Sequence, residues 1–304
     1  MDLSCSLYTG VGDAPPLEDV AAWAAAHEFD AIRLSARGDC DPDRILTEGP
    51  DRVLDTLKRH GLYLAALSGH QPLLHADPEE RERAQRQLIR NIDTAAALGT
   101  PVVVTATGTP CSWLFYGLPA PRSVGHTYHA NPPSQTSRVE EVLGMFREMF
   151  TPVVRHAEEK GVKIALDCAV RMGNIAVNPE MWERVLDAIP SDALGLSFDP
   201  SHLLWLQISP VEEAVRMFKG KWYYADVKDA EIRPQMLFRQ GIIGNCWWEY
   251  RVPGRGQLNW GTIIGALHYA DYDYVLCVEN EDADCPGLAG LDLGRRHLAQ
   301  FLAK

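Results

Sequence analysis

Short runs of apolar and β-branched residues recur along the chain, and each is followed by a longer stretch with helical period. Eight such runs read as strands: Leu3–Tyr8, Ala31–Ser35, Leu62–Ser68, Pro101–Thr105, Val162–Asp167, Leu194–Phe198, Trp222–Asp226 and Tyr274–Val278. The helical stretches between and after them fall near Leu17–His27, Arg52–His60, Pro78–Leu98, Ser137–Lys160, Pro179–Ile189, Pro210–Phe218, Trp260–Tyr269 and Leu291–Leu302. Strict alternation of strand and helix predicts parallel strands joined by crossover helices. The strands are apolar throughout rather than alternating, as expected when both faces of a sheet are covered. Eight units predict an α/β fold that closes into a (β/α)8 TIM barrel, one domain over residues 1–304. An open doubly wound sheet would carry a glycine-rich turn and a helix start after its first strand. Here Thr9-Gly10-Val11-Gly12-Asp13 lacks the third glycine.

Length agrees with that expectation, since 304 residues suit one barrel of ~250 residues with insertions. Charge then narrows the partners. Lys and Arg number 29 against 41 Asp and Glu, a formal net charge of -12. A surface so acidic repels nucleic-acid phosphates and anionic membranes, and no basic run offsets it. The seven cysteines include no Cys-x-x-Cys pair. They read as reduced structural thiols in a cytoplasmic protein. The N-terminus shows no basic region followed by an apolar core, so no secretory leader is expected.

In a barrel of this kind, polar residues at the C-terminal ends of strands carry the chemistry. Those positions hold Ser68 and His70 after the third strand and Asp167 at the end of the fifth. Asp199 and His202 follow the sixth, Asp226, Lys228 and Asp229 follow the seventh, and Glu279 follows the eighth. A single Asp in such a place can serve as the N-cap of the next helix, which is a fair reading of Asp199 before Pro200. Capping explains less well why four successive strands end in carboxylates. Four converging carboxylates need a counter-charge, and a divalent cation of the Mn2+ or Mg2+ type would supply it. Lys228 is placed to stabilise an oxyanion. Gly69 is expected to let the chain turn so that His70 faces the rim. Trp113, Trp205, Trp247 and Trp248 fall in or near the loops at that end, where an indole face could stack on a sugar.

Several motifs resemble the sugar phosphate isomerase/epimerase group, the xylose isomerase-like barrels, over essentially the whole chain. They are Gly173-Asn174-Ile175-Ala176 with Asn178-Pro179-Glu180-Met181-Trp182, Phe198-Asp199-Pro200-Ser201-His202-Leu203 and Lys228-Asp229. Further along they are Tyr250-Arg251-Val252-Pro253-Gly254-Arg255-Gly256 and Val278-Glu279-Asn280-Glu281-Asp282. The resemblance implies a metal held from strands five to eight by Glu, Asp, His and Glu. The matching positions here are Asp167, Asp199, Asp226 and Glu279. Asp167 is shorter than the family's Glu, and Asp226 replaces a neutral nitrogen ligand with a charged oxygen. The resemblance also implies enediolate chemistry on a sugar, keto-sugar or polyol, with Asp167 and Glu279 exchanging the proton and His202 and Lys228 assisting. His70, Trp113 and Arg251 are the expected substrate contacts. Two further activities are compatible with the motifs: a lyase subunit acting on 3-oxo-glycosides beside a small partner, or an altered barrel that only binds a sugar. A homo-oligomer is compatible as well. A barrel endonuclease for abasic DNA would need a His-rich cluster and a basic groove, and the charge speaks against it.

Overall fold

Eight parallel strands close on one another in the computed structural model, which describes residues 1–6, 15–108, 132–168, 174–242 and 246–302. In chain order the strands are β1 (Asp2–Ser6), β2 (Ala31–Ser35), β3 (Tyr63–Ser68), β4 (Val102–Thr105), β5 (Lys163–Asp167), β6 (Leu194–Phe198) and β7 (Trp222–Val227). They continue with β8 (Asp229–Ile232), β9 (Trp248–Arg251) and β10 (Val275–Val278). The barrel runs β1-β10-β7-β6-β5-β4-β3-β2, every neighbouring pair parallel. Strands β8 and β9 form a separate antiparallel hairpin between β7 and β10, with Asp229 opposite Arg251 and Ile232 opposite Trp248. The expectation of a closed (β/α)8 barrel is met.

The helices are α1 (Leu17–Ala26), α2 (Pro42–Glu48), α3 (Asp51–Arg59), α4 (Pro78–Ala97), α5 (Pro132–Lys160) and α6 (Pro179–Ala188). After them come α7 (Pro200–Trp205), α8 (Val211–Met217), α9 (Pro234–Gln240), α10 (Trp260–Tyr269) and α11 (Leu288–Leu298). One local device recurs at their starts. Asp41, Asp77, Asn178 and Asp199 each precede a proline at the first helical turn, and each side chain accepts a backbone N–H of that turn. The cap satisfies an orphan donor, and the proline lacks one. Asn178→Ala removes such a cap from α6 and is expected to lower stability by ~1 kcal/mol, read as a shift in the urea midpoint at constant slope.

Two apolar layers hold the barrel. The large one lies between strands and helices. Trp182 of α6 packs edge-on against Phe218 and Trp222 there, and its indole donates to the Ala176 carbonyl at 2.7 Å. The smaller layer is drawn from strands alone, which places it in the lumen. It is made mostly of Ala31, Ala65, Ala66, Val102, Val104, Ala165, Val275 and Cys277, with Tyr223 and Tyr224. The six cysteines among the described residues are free thiols, four of them buried. No helix among the described residues is long and apolar enough to cross a membrane.

The structure adds elements that the pattern of the sequence did not predict. Helix α2 shortens the second loop, α7 follows β6 directly, and the stretch read as irregular between Arg233 and Leu258 carries α9 and β9. That stretch is organised by Asp229, a fully buried carboxylate. It accepts from the amides of Ala230 at 2.8 Å, Leu258 at 3.1 Å and Gly254 at 3.4 Å, and from the Trp260 indole at 3.0 Å. Asp229 is therefore an anchor for the loop after the hairpin rather than a member of the mouth. Gly256 sits against it, and a Cβ there would lie 2.1 Å from Asp229 Oδ1 and 2.6 Å from the Ala230 carbonyl oxygen. Neither neighbour can retreat without losing buried hydrogen bonds. Gly256→Ala is expected to cost ~1–3 kcal/mol by overpacking, measurable by the same denaturation.

Candidate functional site

The C-terminal ends of the strands surround a cavity of about 460 Å³. Its wall includes Arg33, Ser68, His70, Asp167, Asp199, His202, Lys228, Tyr250, Glu279 and Glu281. The strand ends thus bring together most of the residues expected from the sequence.

Asp167 closes β5, and its carboxylate lies 2.9 Å from His70 Nε2. Burial works against its ionisation. The hydrogen bond and charge of His70 outweigh that and hold the carboxyl below its usual range. The backbone under Asp167 is fixed by Asn174, whose side-chain amide donates to the Asp167 carbonyl. Asn174 Oδ1 in turn accepts from the Thr107 hydroxyl at 2.6 Å. Gly69 precedes His70. Its backbone is not in the left-handed region. It is glycine because a Cβ would meet the Asn91 side-chain amide at 2.2 Å. The expected tight turn is instead a close approach between β3 and α4.

Asp199 divides its two oxygens. Oδ1 accepts from the Ser201 amide at 2.9 Å and the Ser201 hydroxyl at 2.6 Å, which caps α7. Oδ2 faces the cavity, 3.2 Å from His202 Nε2 and 3.4 Å from Lys228 Nζ. Both readings of this residue therefore hold at once. Burial opposes its charge, but Lys228, His202 and Ser201 draw its pKa well below the ordinary value. His202 Nδ1 faces the Trp205 indole N–H and the Tyr250 hydroxyl, each at 3.3 Å. An indole only donates, so Nδ1 accepts and Nε2 carries the proton that points at Asp199.

Lys228 is 2 % exposed. Its Nζ donates to Glu281 at 2.6 Å and Glu279 at 3.2 Å, and it lies 4.4 Å over the Tyr250 ring. Burial disfavours its charge. Asp199, Glu279, Glu281 and Tyr250 reverse that and raise its pKa well above the usual lysine value. Burial likewise opposes the Glu279 carboxylate, and the charges of Arg33 and Lys228 keep it below its usual range.

Arg33 lines the same cavity and was not expected from the sequence. It sits in the middle of apolar β2, and it is buried. Its Nη1 reaches both Asp226 oxygens, at 2.6 and 2.7 Å. Its Nη2 donates to Ser6 Oγ at 2.9 Å and to Glu279. Burial opposes the guanidinium charge, and Asp226 and Glu279 together hold its pKa well above the ordinary value. Burial pushes the Asp226 carboxyl upward, yet both of its oxygens accept from Arg33. A guanidinium only donates, so two acceptor oxygens this close to one of its nitrogens mark an ionised pair. The signal was available in the sequence: an arginine inside Ala31-Ile32-Arg33-Leu34-Ser35 must find partners to be buried at all.

The other expected residues fall elsewhere. Asp226 is not in the cavity wall, because its carboxylate is turned to Arg33. Arg251 does not line the wall either. Its guanidinium is taken up by Glu231 at 2.6 Å, Glu249 at 2.9 Å, Asp282 at 3.1 Å and Asp284 at 3.2 Å. It ties the hairpin to the loop after β10 and has no donor to spare for a sugar. Trp113 lies outside the described residues. Trp205 and Trp248 stack on each other, centroids 4.9 Å apart, in an aromatic cluster that also buries Trp247. Among the described residues the aromatic side chain in the cavity wall is Tyr250, set by β9 against that cluster.

The chain matches the xylose isomerase-like TIM barrel family over residues 21–301. It belongs to that family. The match covers most of its length, and the closed barrel agrees with it. An uncharacterized protein, YfiH, of Bacillus subtilis (strain 168) is 24% identical over 95% of this chain and 96% of its own. The solved structure of the IolI protein with a bound zinc atom superposes with a TM-score of 0.71 at 16% identity, covering 100% of both chains. The apo structure of 3-keto-D-glucoside 4-epimerase, YcjR, from E. coli gives 0.71 at 14% identity, covering 99% of this chain and 98% of its own. At these identities the structural likeness establishes the fold. Epimerases and dehydratases recur among the xylose isomerase-like barrels it resembles.

A metal centre of the expected kind does not fit the side chains present. Among the described residues, no three His, Cys, Asp or Glu are arranged to hold an ion. Each of the four expected ligands faces a protein donor instead: Asp167 faces His70, Asp199 faces Lys228 and His202, Asp226 faces Arg33, and Glu279 faces both Arg33 and Lys228. Two basic side chains, Arg33 and Lys228, supply counter-charge to Asp199, Asp226 and Glu279, and His70 faces Asp167.

Proposed function

We propose that this chain is an enzyme that moves a proton on a carbon beside the carbonyl of a sugar, keto-sugar or polyol-derived substrate, in the manner of an isomerase or epimerase. One observation supports this reading above the others: Asp167 and Glu279 both face a single cavity, each held charged by a neighbouring donor. A base must lie within reach of the carbon acid and be held in the right protonation state. Asp167, backed by His70, takes the proton. Glu279 stands across the cavity as the second carboxylate. Lys228 provides positive charge where the substrate oxygen becomes an enediolate oxygen. His202, oriented by Trp205 and Tyr250, holds Asp199 in place through Nε2. The barrel's acidity and this neutral-to-acidic cavity suit an uncharged polyhydroxylated ligand better than a phosphorylated one.

The test is solvent exchange. Aldoses, ketoses and 3-oxo-glycosides are incubated with the protein in D2O and followed by proton NMR. The expected result is deuterium entering the carbon beside the carbonyl of one class, with isomer or epimer accumulating. Elimination product from a 3-oxo-glycoside would identify a lyase that begins with the same proton removal. Binding without exchange across all three classes would overturn the proposal.

A further inference from the structure

We infer that Arg33 and Lys228 are the resident cations of this site and that the chain works without a divalent ion. The inference deepens the proposed function and rests on its reading of the cavity as the working site.

The position of Lys228 is the first ground. Its ammonium contacts oxygens from the end of β6 and from two places after β10: Asp199 at 3.4 Å, Glu279 at 3.2 Å and Glu281 at 2.6 Å. That is the place where a cation shared by Asp199 and Glu279 would have to lie. An ion of the Mg2+ type binds carboxylate oxygens at ~2.0–2.1 Å, so it could not share the cage with the ammonium and would have to expel it. The ammonium is buried, and the Tyr250 ring lies over it.

Arg33 is the second ground, and it is independent of the first because it comes from β2. It spans Asp226 and Glu279, and the fourth expected ligand, Asp167, is held by His70. Its Nη2 also takes Ser6 of β1, which fixes the guanidinium plane within the barrel. A lysine has one nitrogen, whereas the guanidinium gives Nη1 to Asp226 and Nη2 to Ser6 and Glu279. Asp226 fits the same account. An aspartate with both oxygens turned to a guanidinium is a partner for Arg33, where a histidine would have been a ligand for a metal.

The test reads metal directly on the full chain. Wild type, Asp199→Asn and Lys228→Met are purified from Mn2+-supplemented growth, and their metal content is measured. Each is then titrated with Mn2+ under electron paramagnetic resonance and melted with and without the ion. Wild type is expected to carry sub-stoichiometric metal and to show no rise in Tm with Mn2+. Lys228→Met is expected to bind one equivalent and to gain Tm on adding Mn2+, because the ammonium shared by Asp199, Glu279 and Glu281 is gone. The inference is overturned if wild type retains one equivalent of Mn2+ that Asp199→Asn loses, or if folded Lys228→Met binds none. Should Lys228→Met lack a cooperative melt, the wild-type titration decides alone. None of these readings needs a substrate. An absence of turnover would therefore count against the proposed reaction only, and stoichiometric metal in wild type would count against this inference only.

Discussion

Replacing Arg33 by Met should destabilise the barrel by ~3–5 kcal/mol, the range for breaking a buried ion pair from one side. The loss has a specific origin. Asp226 is 2 % exposed, and Arg33 approaches both of its oxygens. Without the guanidinium it is a buried carboxylate beside Glu279, and it must either take up a proton or draw in water. The Met side chain has about the right volume, so a cavity is not the main cost. The double variant Arg33→Met/Asp226→Leu checks this account. Removing both partners leaves no orphan at Asp226, so most of the lost stability should return. Urea unfolding of the two single variants and the double variant gives the coupling energy. Single-variant costs that simply add would show that the pair is not the source of the effect.

In Asp167→Asn, proton exchange should fall by ~10²–10⁴-fold, the usual contribution of a positioned base. The amide keeps the size of the side chain, and Asn174 holds the backbone at that point whatever side chain it carries. Stability should therefore change far less than activity. His70→Ala tests the supporting role. Asp167 then loses the donor that keeps it below its usual range, and exchange should fall while the fold persists. The measurement is deuterium incorporation at saturating substrate, with melting curves as the control. Equal losses of stability and exchange in Asp167→Asn would make the residue structural.

How much of this was legible in the sequence depended on the kind of signal. The barrel was legible because fully buried strands leave unbroken apolar runs, as in Val102–Val104 and Val275–Val278. The strand-end carboxylates were legible for the same reason, since each ends such a run. The hairpin was not. Its strands are only four residues each, and they are separated by α9 rather than a tight turn. Their pairing is fixed by side chains distant in sequence, chiefly Asp229 and Arg251. Arg251 lies in a motif of the resembled family, and motif membership does not distinguish a strut from a substrate contact. Arg33 carries no strand-end signal, since it lies within β2. It enters the mouth from inside a strand, by the length of its side chain.

The two oxygens of Asp199 answer to different masters: one starts helix α7, and the other faces Lys228 and His202. Asparagine can still cap the helix through its carbonyl oxygen. It would, however, turn a neutral or donating group toward the lysine. Glutamate would keep the charge and move both oxygens outward by a carbon, unseating the helix start. The position admits no exchange that satisfies both demands. Selection on the start of α7 and selection on the charge balance of the mouth therefore fall on a single side chain, and a change made for either one disturbs the other.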